Sequence, residues 1–84
     1  MMTSELVEQY IRAGLECTQL EIEGDGQHFF AKIVSPAFAG KRLVERHRMV
    51  MELIKARLAS NEIHALSIVK AQTPEEWQAA QQQG

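Results

Sequence analysis

The hydropathy pattern predicts an α+β fold, a two-layer sandwich built in the order α-β-β-α-β-α around a three-stranded mixed sheet. Three observations predict it. Apolar residues recur at three- and four-residue steps in Ser4 to Leu15 and in Lys41 to Leu58. Two strictly alternating runs flank the turn Gly24-Asp25-Gly26, and a third alternating run follows at Ala65 to Ala71. An amphipathic helix between the second and third runs makes those two strands parallel, because a crossover returns the chain to the same end of the sheet.

The first helix places Leu6, Val7, Tyr10, Ile11 and Leu15 on one stripe, with Thr3 or Ser4 available as N-cap. Glu5 and Glu8 suit the positive end of its dipole, and Gly14 marks its exit. Thr18, Leu20 and Ile22 then oppose Gln19, Glu21 and Glu23, as in a strand with one buried and one wet face. After the Gly-Asp-Gly turn, Phe29, Ala31 and Ile33 oppose Phe30, Lys32 and Val34, which completes a β-hairpin. Ser35-Pro36 ends the second strand, since proline removes a ladder donor. A short linking turn carries Phe38 as an exposed or anchoring aromatic.

The long central helix puts Leu43, Val44, Val50, Met51, Ile54 and Leu58 on its apolar stripe, with His47 on the same stripe as a core-edge residue. Ser60-Asn61 breaks it. In the third strand Leu66 and Ile68 face one side, Ser67 and Val69 the other. Thr73-Pro74-Glu75-Glu76 is a capping box with proline at the first helical position, and it opens a short helix anchored by Trp77. The expected organisation is a single domain over residues 1–84, with an ordered core over about 4–78 and a polar, frayed tail at 79–84.

A chain of 84 residues supports one small core. Its 45% hydrophobic and 24% charged residues exclude a wholly disordered polymer. No apolar run approaches the ~20 residues of a membrane helix, and the N-terminus lacks the basic and apolar regions of a secretory signal. The single cysteine, Cys17, cannot form an internal disulfide and reads as a small apolar filler, so a reducing compartment, most simply the cytosol, is expected. Large pockets need larger scaffolds, so binding or ligand sharing is favoured over catalysis.

Charge is unevenly spread. The segment Lys41 to Arg57 holds six bases against two acids, a local +4, whereas the whole chain carries −2. Lys41, Arg42, Arg46 and Arg48 could meet phosphate or an acidic surface, or simply form a solvated helix face. Ser35, Ser60 and Ser67 occur without a nucleophile-elbow motif, and Gly24-Asp25-Gly26 joins two strands without the features of a phosphate loop. The three histidines and Cys17 are the only soft ligand candidates, and no motif for an autonomous zinc or iron–sulfur site is present. His28 precedes the second strand and His64 the third. Because these strands are parallel, both imidazoles fall at one end of the sheet, either as a shared patch or as ordinary surface histidines.

Four segments, Phe38-Ala39-Gly40, Arg46-His47-Arg48, Ile63-His64-Ala65-Leu66-Ser67-Ile68 and Thr73-Pro74-Glu75-Glu76-Trp77, resemble the BolA family in order and spacing. The turn Gly24-Asp25-Gly26-Gln27-His28-Phe29 resembles its short IbaG-type (YrbA) branch. The resemblance runs from about Leu6 to Trp77 and implies a class II KH-like fold without enzymatic activity. It further implies an adaptor that pairs with a monothiol glutaredoxin and shares a 2Fe-2S cluster with the glutaredoxin cysteine and a glutathione thiol, none being expected in the isolated protein. His64 matches the family's C-terminal histidine ligand, and His28 is the available second ligand. The resemblance also raises a DNA-binding regulator that uses Lys41, Arg42, Arg46 and Arg48, although the Gly-x-x-Gly clamp of KH domains is missing. A homodimer is a further expectation.

Overall fold

In a computed structural model of the chain, residues 3–25, 27–57 and 65–83 are described. Helix α1 spans Ser4–Gly14, β1 Gln19–Gly24, β2 His28–Val34, α2 Leu43–Arg57, β3 Ala65–Gln72 and α3 Pro74–Gln83, with a 3₁₀ turn at Pro36–Phe38. Thr3 rather than Ser4 caps α1, its Oγ1 accepting the Leu6 N–H at 3.2 Å. Val7 and Ile11, four residues apart, bury one stripe of that helix.

The sheet order is β1-β2-β3, with β1 antiparallel and β3 parallel to the central β2. Phe29, Ala31 and Ile33 of β2 face the core together with Val7, Ile11, Leu15, Phe38, Val50, Ile54 and Ala71. Leu20 and Ile22 of β1 and Leu66 and Ile68 of β3 pack against this cluster. The sequence therefore assigned the faces of both hairpin strands correctly.

Strict alternation fails once, inside β3. Ala31 pairs with Ile68 but Lys32 pairs with Lys70, so Val69 is an extra, unpaired residue. The bulge reverses the phase of the strand. Lys70 turns outward and Ala71, 3% exposed, turns into the core.

Helix α2 departs from the expected stripe. Val50 and Ile54 are buried as the spacing predicts, but Leu43 and Val44 are 63% and 54% exposed and His47 is exposed too. Arg46 takes the inward position, four residues before Val50. The two alternatives differ by one residue, about 100° of helix rotation, and polar contacts decide between them. The Arg46 guanidinium donates to the carbonyls of Lys41 (2.9 Å) and Ala71 (2.8 Å) and to Glu76 Oε1 (2.7 Å) and Oε2 (3.3 Å). It also lies over the buried Phe38 ring, 5.8 Å from its centroid. Leu58 and Ser60-Asn61 lie outside the described residues.

The capping box forms as the sequence predicts. Thr73 Oγ1 accepts the Glu76 N–H at 3.1 Å, and Glu76 Oε1 accepts the Thr73 N–H at 2.8 Å. The same carboxylate holds Arg46, so one glutamate ties the start of α3 to the first turn of α2. Helix α3 continues through Gln83, into the segment expected to fray. Trp77 does not join the main core. It is half-buried and lines a groove of about 470 Å³ with Ala80 and Gln81, facing Lys32, Lys70 and Gln72 of the sheet. Val34, on the outward side by alternation, is only 4% exposed and lines the same groove. Thus α1 and α2 cover one face, and α3 leans on one end of the other.

Candidate metal-ligand site at the start of the parallel strands

The hairpin turn fixes where β2 begins. The Asp25 carboxylate accepts the backbone N–H groups of Gln27 (3.0 Å) and His28 (2.9 Å), and the Asp25 N–H donates to the His28 carbonyl at 3.2 Å. These backbone donors hold the Asp25 carboxyl below the usual carboxylate range. Gly24 is required by close approach. A Cβ there would sit 2.5 Å from both the His28 carbonyl oxygen and Phe29 Cδ1, and the carbonyl belongs to the backbone of the turn itself.

His28 is exposed on the sheet face away from α1 and α2. Its ring stacks on Phe30, with centroids 4.6 Å apart and planes 10° from parallel. Its Nε2 lies 3.1 Å from Ser67 Oγ on the adjacent strand. The sheet register pairs His28 with Ala65. His64, the residue bonded to Ala65, lies outside the described residues. Sequence reading found His28 but missed Ser67, Phe30 and Asp25. The outward parity of positions 28, 30 and 67 was the available signal, and the register needed to join them was not.

Cys17 stands apart from this end. Thr18 bonds the carbonyl of Val34 at 2.9 Å, so the cysteine enters the sheet where β2 finishes rather than where it starts. Its thiol is half-buried, donates to the Leu15 carbonyl at 3.4 Å, and is pushed above the usual thiol range by burial. This is the environment of a packing cysteine. Among the described residues no group of three or more His, Cys, Asp or Glu side chains could hold a metal ion. A donor set including His28 therefore needs further ligands.

The basic region is at the opposite end of α2. Lys41, Arg42 and Arg48 are exposed, whereas Arg46 is 7% exposed and committed to internal partners. That removes Arg46 from the basic surface that the sequence suggested. Glu45 Oε1 accepts the Arg42 N–H at 2.7 Å and lies 3.5 Å from the Arg42 Nε. The Arg42 backbone bond, foremost, keeps the Glu45 carboxyl below the usual range. No helix among the described residues is long and apolar enough to cross a membrane.

Comparison with known proteins identifies the chain. Residues 8–76 match the model of the BolA-like protein family. Protein BOLA2 of Arabidopsis thaliana is 44% identical over 98% of this chain and 90% of its own length. Acid stress protein IbaG of Escherichia coli K12 is 33% identical, over 90% and 89% respectively. These values support the family without singling out the IbaG branch. Among solved structures, a bolA homologue from Coxiella burnetii superposes with a TM-score of 0.80 at 37% identity, covering 93% of this chain and 99% of that one. A bol-like protein from Babesia bovis gives 0.83 at 35%, covering 96% and 95%. By sequence over nearly its whole length, and by the α-β-β-α-β-α fold around a mixed sheet, this chain belongs to the BolA family, a non-enzymatic family.

Proposed function

We propose that the chain is a cluster-sharing adaptor that pairs with a monothiol glutaredoxin in a reducing compartment, with the compact hairpin turn of the IbaG-type branch. The cargo is a 2Fe-2S cluster, with sulfur donors from the glutaredoxin cysteine and a glutathione thiol and nitrogen donors from His64 and His28. One observation carries the reading. His28 stands exposed and oriented at the sheet end, in register with Ala65, the residue bonded to His64. The donor chemistry fits. A neutral imidazole is a good iron ligand in mixed His/Cys ligation, and it can be displaced by protonation where a thiolate holds on. Such lability suits handing on or sensing a cluster rather than storing it.

Co-expression with a monothiol glutaredoxin, followed by iron and sulfide analysis, tests the reading. The expected product is a brown heterodimer. His64→Ala should strip most of its visible absorption, and His28→Ala should shift its bands or shorten its lifetime. A colourless wild-type complex, or one indifferent to loss of His64, overturns the adaptor reading.

A second reading has an observation of its own. Lys41 and Arg42, just before α2, and Arg48, in its second turn, are all exposed. A relative described as the DNA-binding transcriptional regulator BolA of Vibrio cholerae is 45% identical over 71% of this chain and 55% of its own length. With three such cations and a net charge of −2, duplex DNA binding is expected to be weak and to collapse with added salt. Titration of labelled duplex at two ionic strengths measures this, and binding that persists at ~200 mM salt would favour the regulator.

A further inference from the structure

Three separate contacts restrain His28. The Asp25 carboxylate takes its backbone N–H, Phe30 stacks on one face of its ring, and Ser67 Oγ lies within hydrogen-bonding distance of Nε2. Among the described residues, Nδ1 has no hydrogen-bond partner. Such restraint is unusual for an exposed imidazole, because a free surface ring keeps several rotamers at little cost.

Resting on the adaptor reading above, we infer that Ser67 is a positioning residue for His28, accepting the Nε2–H and presenting Nδ1 as the atom that meets the metal. A metal-binding imidazole normally donates its second ring N–H to a fixed acceptor, which sets both tautomer and ring plane. Ser67 is placed to be that acceptor. Its own strand delivers it, because the register that pairs Phe30 with Ser67 sets the hydroxyl beside the His28 ring on the same sheet face. Binding through Nε2 instead would require breaking the 3.1 Å contact with Ser67. Phe30, 45% exposed, forms an apolar wall on one side of the imidazole. His28 as a whole is exposed, so its ring is open to a partner protein.

The tautomer can be read without any metal. In long-range ¹H–¹⁵N spectra of the isolated chain, the neutral ring of His28 should be mostly the Nε2–H tautomer. Ser67→Ala should give a mixture of tautomers with an unchanged far-UV spectrum, and Ser67→Thr, which keeps the hydroxyl, should restore the wild-type pattern. An Nδ1–H form in the wild type, or a Ser67→Ala spectrum identical to it, overturns the inference. In the brown heterodimer, Ser67→Ala should retain colour but lose iron to a chelator at about 10- to 100-fold lower chelator concentration. The two readings fail differently. If His28→Ala bleaches or shifts the complex but the tautomer is wrong, only the role of Ser67 falls. If the tautomer is as expected but His28→Ala changes nothing, the ligand assignment falls and the Nδ1 assignment with it.

Discussion

Replacing Phe38 with alanine is expected to lower the unfolding free energy by about 3–5 kcal/mol, the range for emptying a buried aromatic site. Phe38 is fully buried although it sits in the three-residue 3₁₀ turn between β2 and α2. Short connections rarely bury anything so large, and here the turn is pinned from both sides. Ser35, itself 0% exposed, accepts the Ala37 N–H at 3.1 Å through its hydroxyl, and its own N–H bonds the Gln72 carbonyl at 2.9 Å. With those bonds in place the turn cannot collapse into the hole, so most of the cavity penalty should remain. A domain of this length holds about 4–13 kcal/mol in all, so the variant should be marginal at 37 °C. Urea unfolding followed by far-UV circular dichroism measures the change. A loss below about 1 kcal/mol would mean that the ring is not enclosed as described.

Replacing Arg46 with alanine is expected to cost about 2–4 kcal/mol and to lower the melting temperature by roughly 10–25 °C for a chain of this size. The cost does not come mainly from stranding Glu76, whose side chain is 49% exposed and can turn to water. It comes from the Ala71 carbonyl, which loses its guanidinium donor in a buried position, and from lost packing over Phe38. Lysine should recover only part, because a compact ammonium cannot reach the Lys41 carbonyl, the Ala71 carbonyl and both oxygens of Glu76 together. Because Arg46 and Phe38 touch, the double variant should lose less than the two single losses combined.

Acid provides an independent check on this network. The Arg46 hydrogen bond, followed by the Thr73 backbone N–H, holds the Glu76 carboxyl below the usual range. A carboxylate depressed in the folded state contributes stability above the unfolded value of about 4.3, and loses that contribution as pH falls through the folded value. Glu76→Gln should therefore be less stable than wild type at pH 7, and the gap should narrow below about pH 4. A gap that stays constant from pH 7 to pH 3 would show that this carboxylate does not carry the coupling. Exposure of the carboxylate keeps the effect modest.

The sequence was most legible where a single physical signal dominated. Alternation in β1 and β2 gave the buried faces, and Thr73-Pro74-Glu75-Glu76 gave the start of α3 together with both of its capping bonds. Reading failed where a distant partner settled a local ambiguity. On α2, His47 is less polar than Arg46 and was the natural inward choice, but Arg46 has four acceptors waiting across the fold. In β3, nothing local announces the bulge at Val69, because Lys70 outward and Ala71 inward follow from pairing with Lys32 and Ile33. Trp77 looked like a core anchor by its size alone, yet α3 leaves β3 toward the other sheet face. The site followed the same rule. His28 was visible as a residue type at a strand start, while the Ser67 hydroxyl that orients it lies 39 residues away in sequence.

The direction in which α2 runs has one more consequence. Arg46 bonds the first turn of α2 to the Ala71 carbonyl near the end of β3, so Lys41 and Arg42 lie toward the opposite end of the sheet from His28, with Arg48 further along the helix and Lys55 exposed near its far end. Substituting Lys41 or Arg42 should therefore leave the contact between His28 and Ser67 undisturbed.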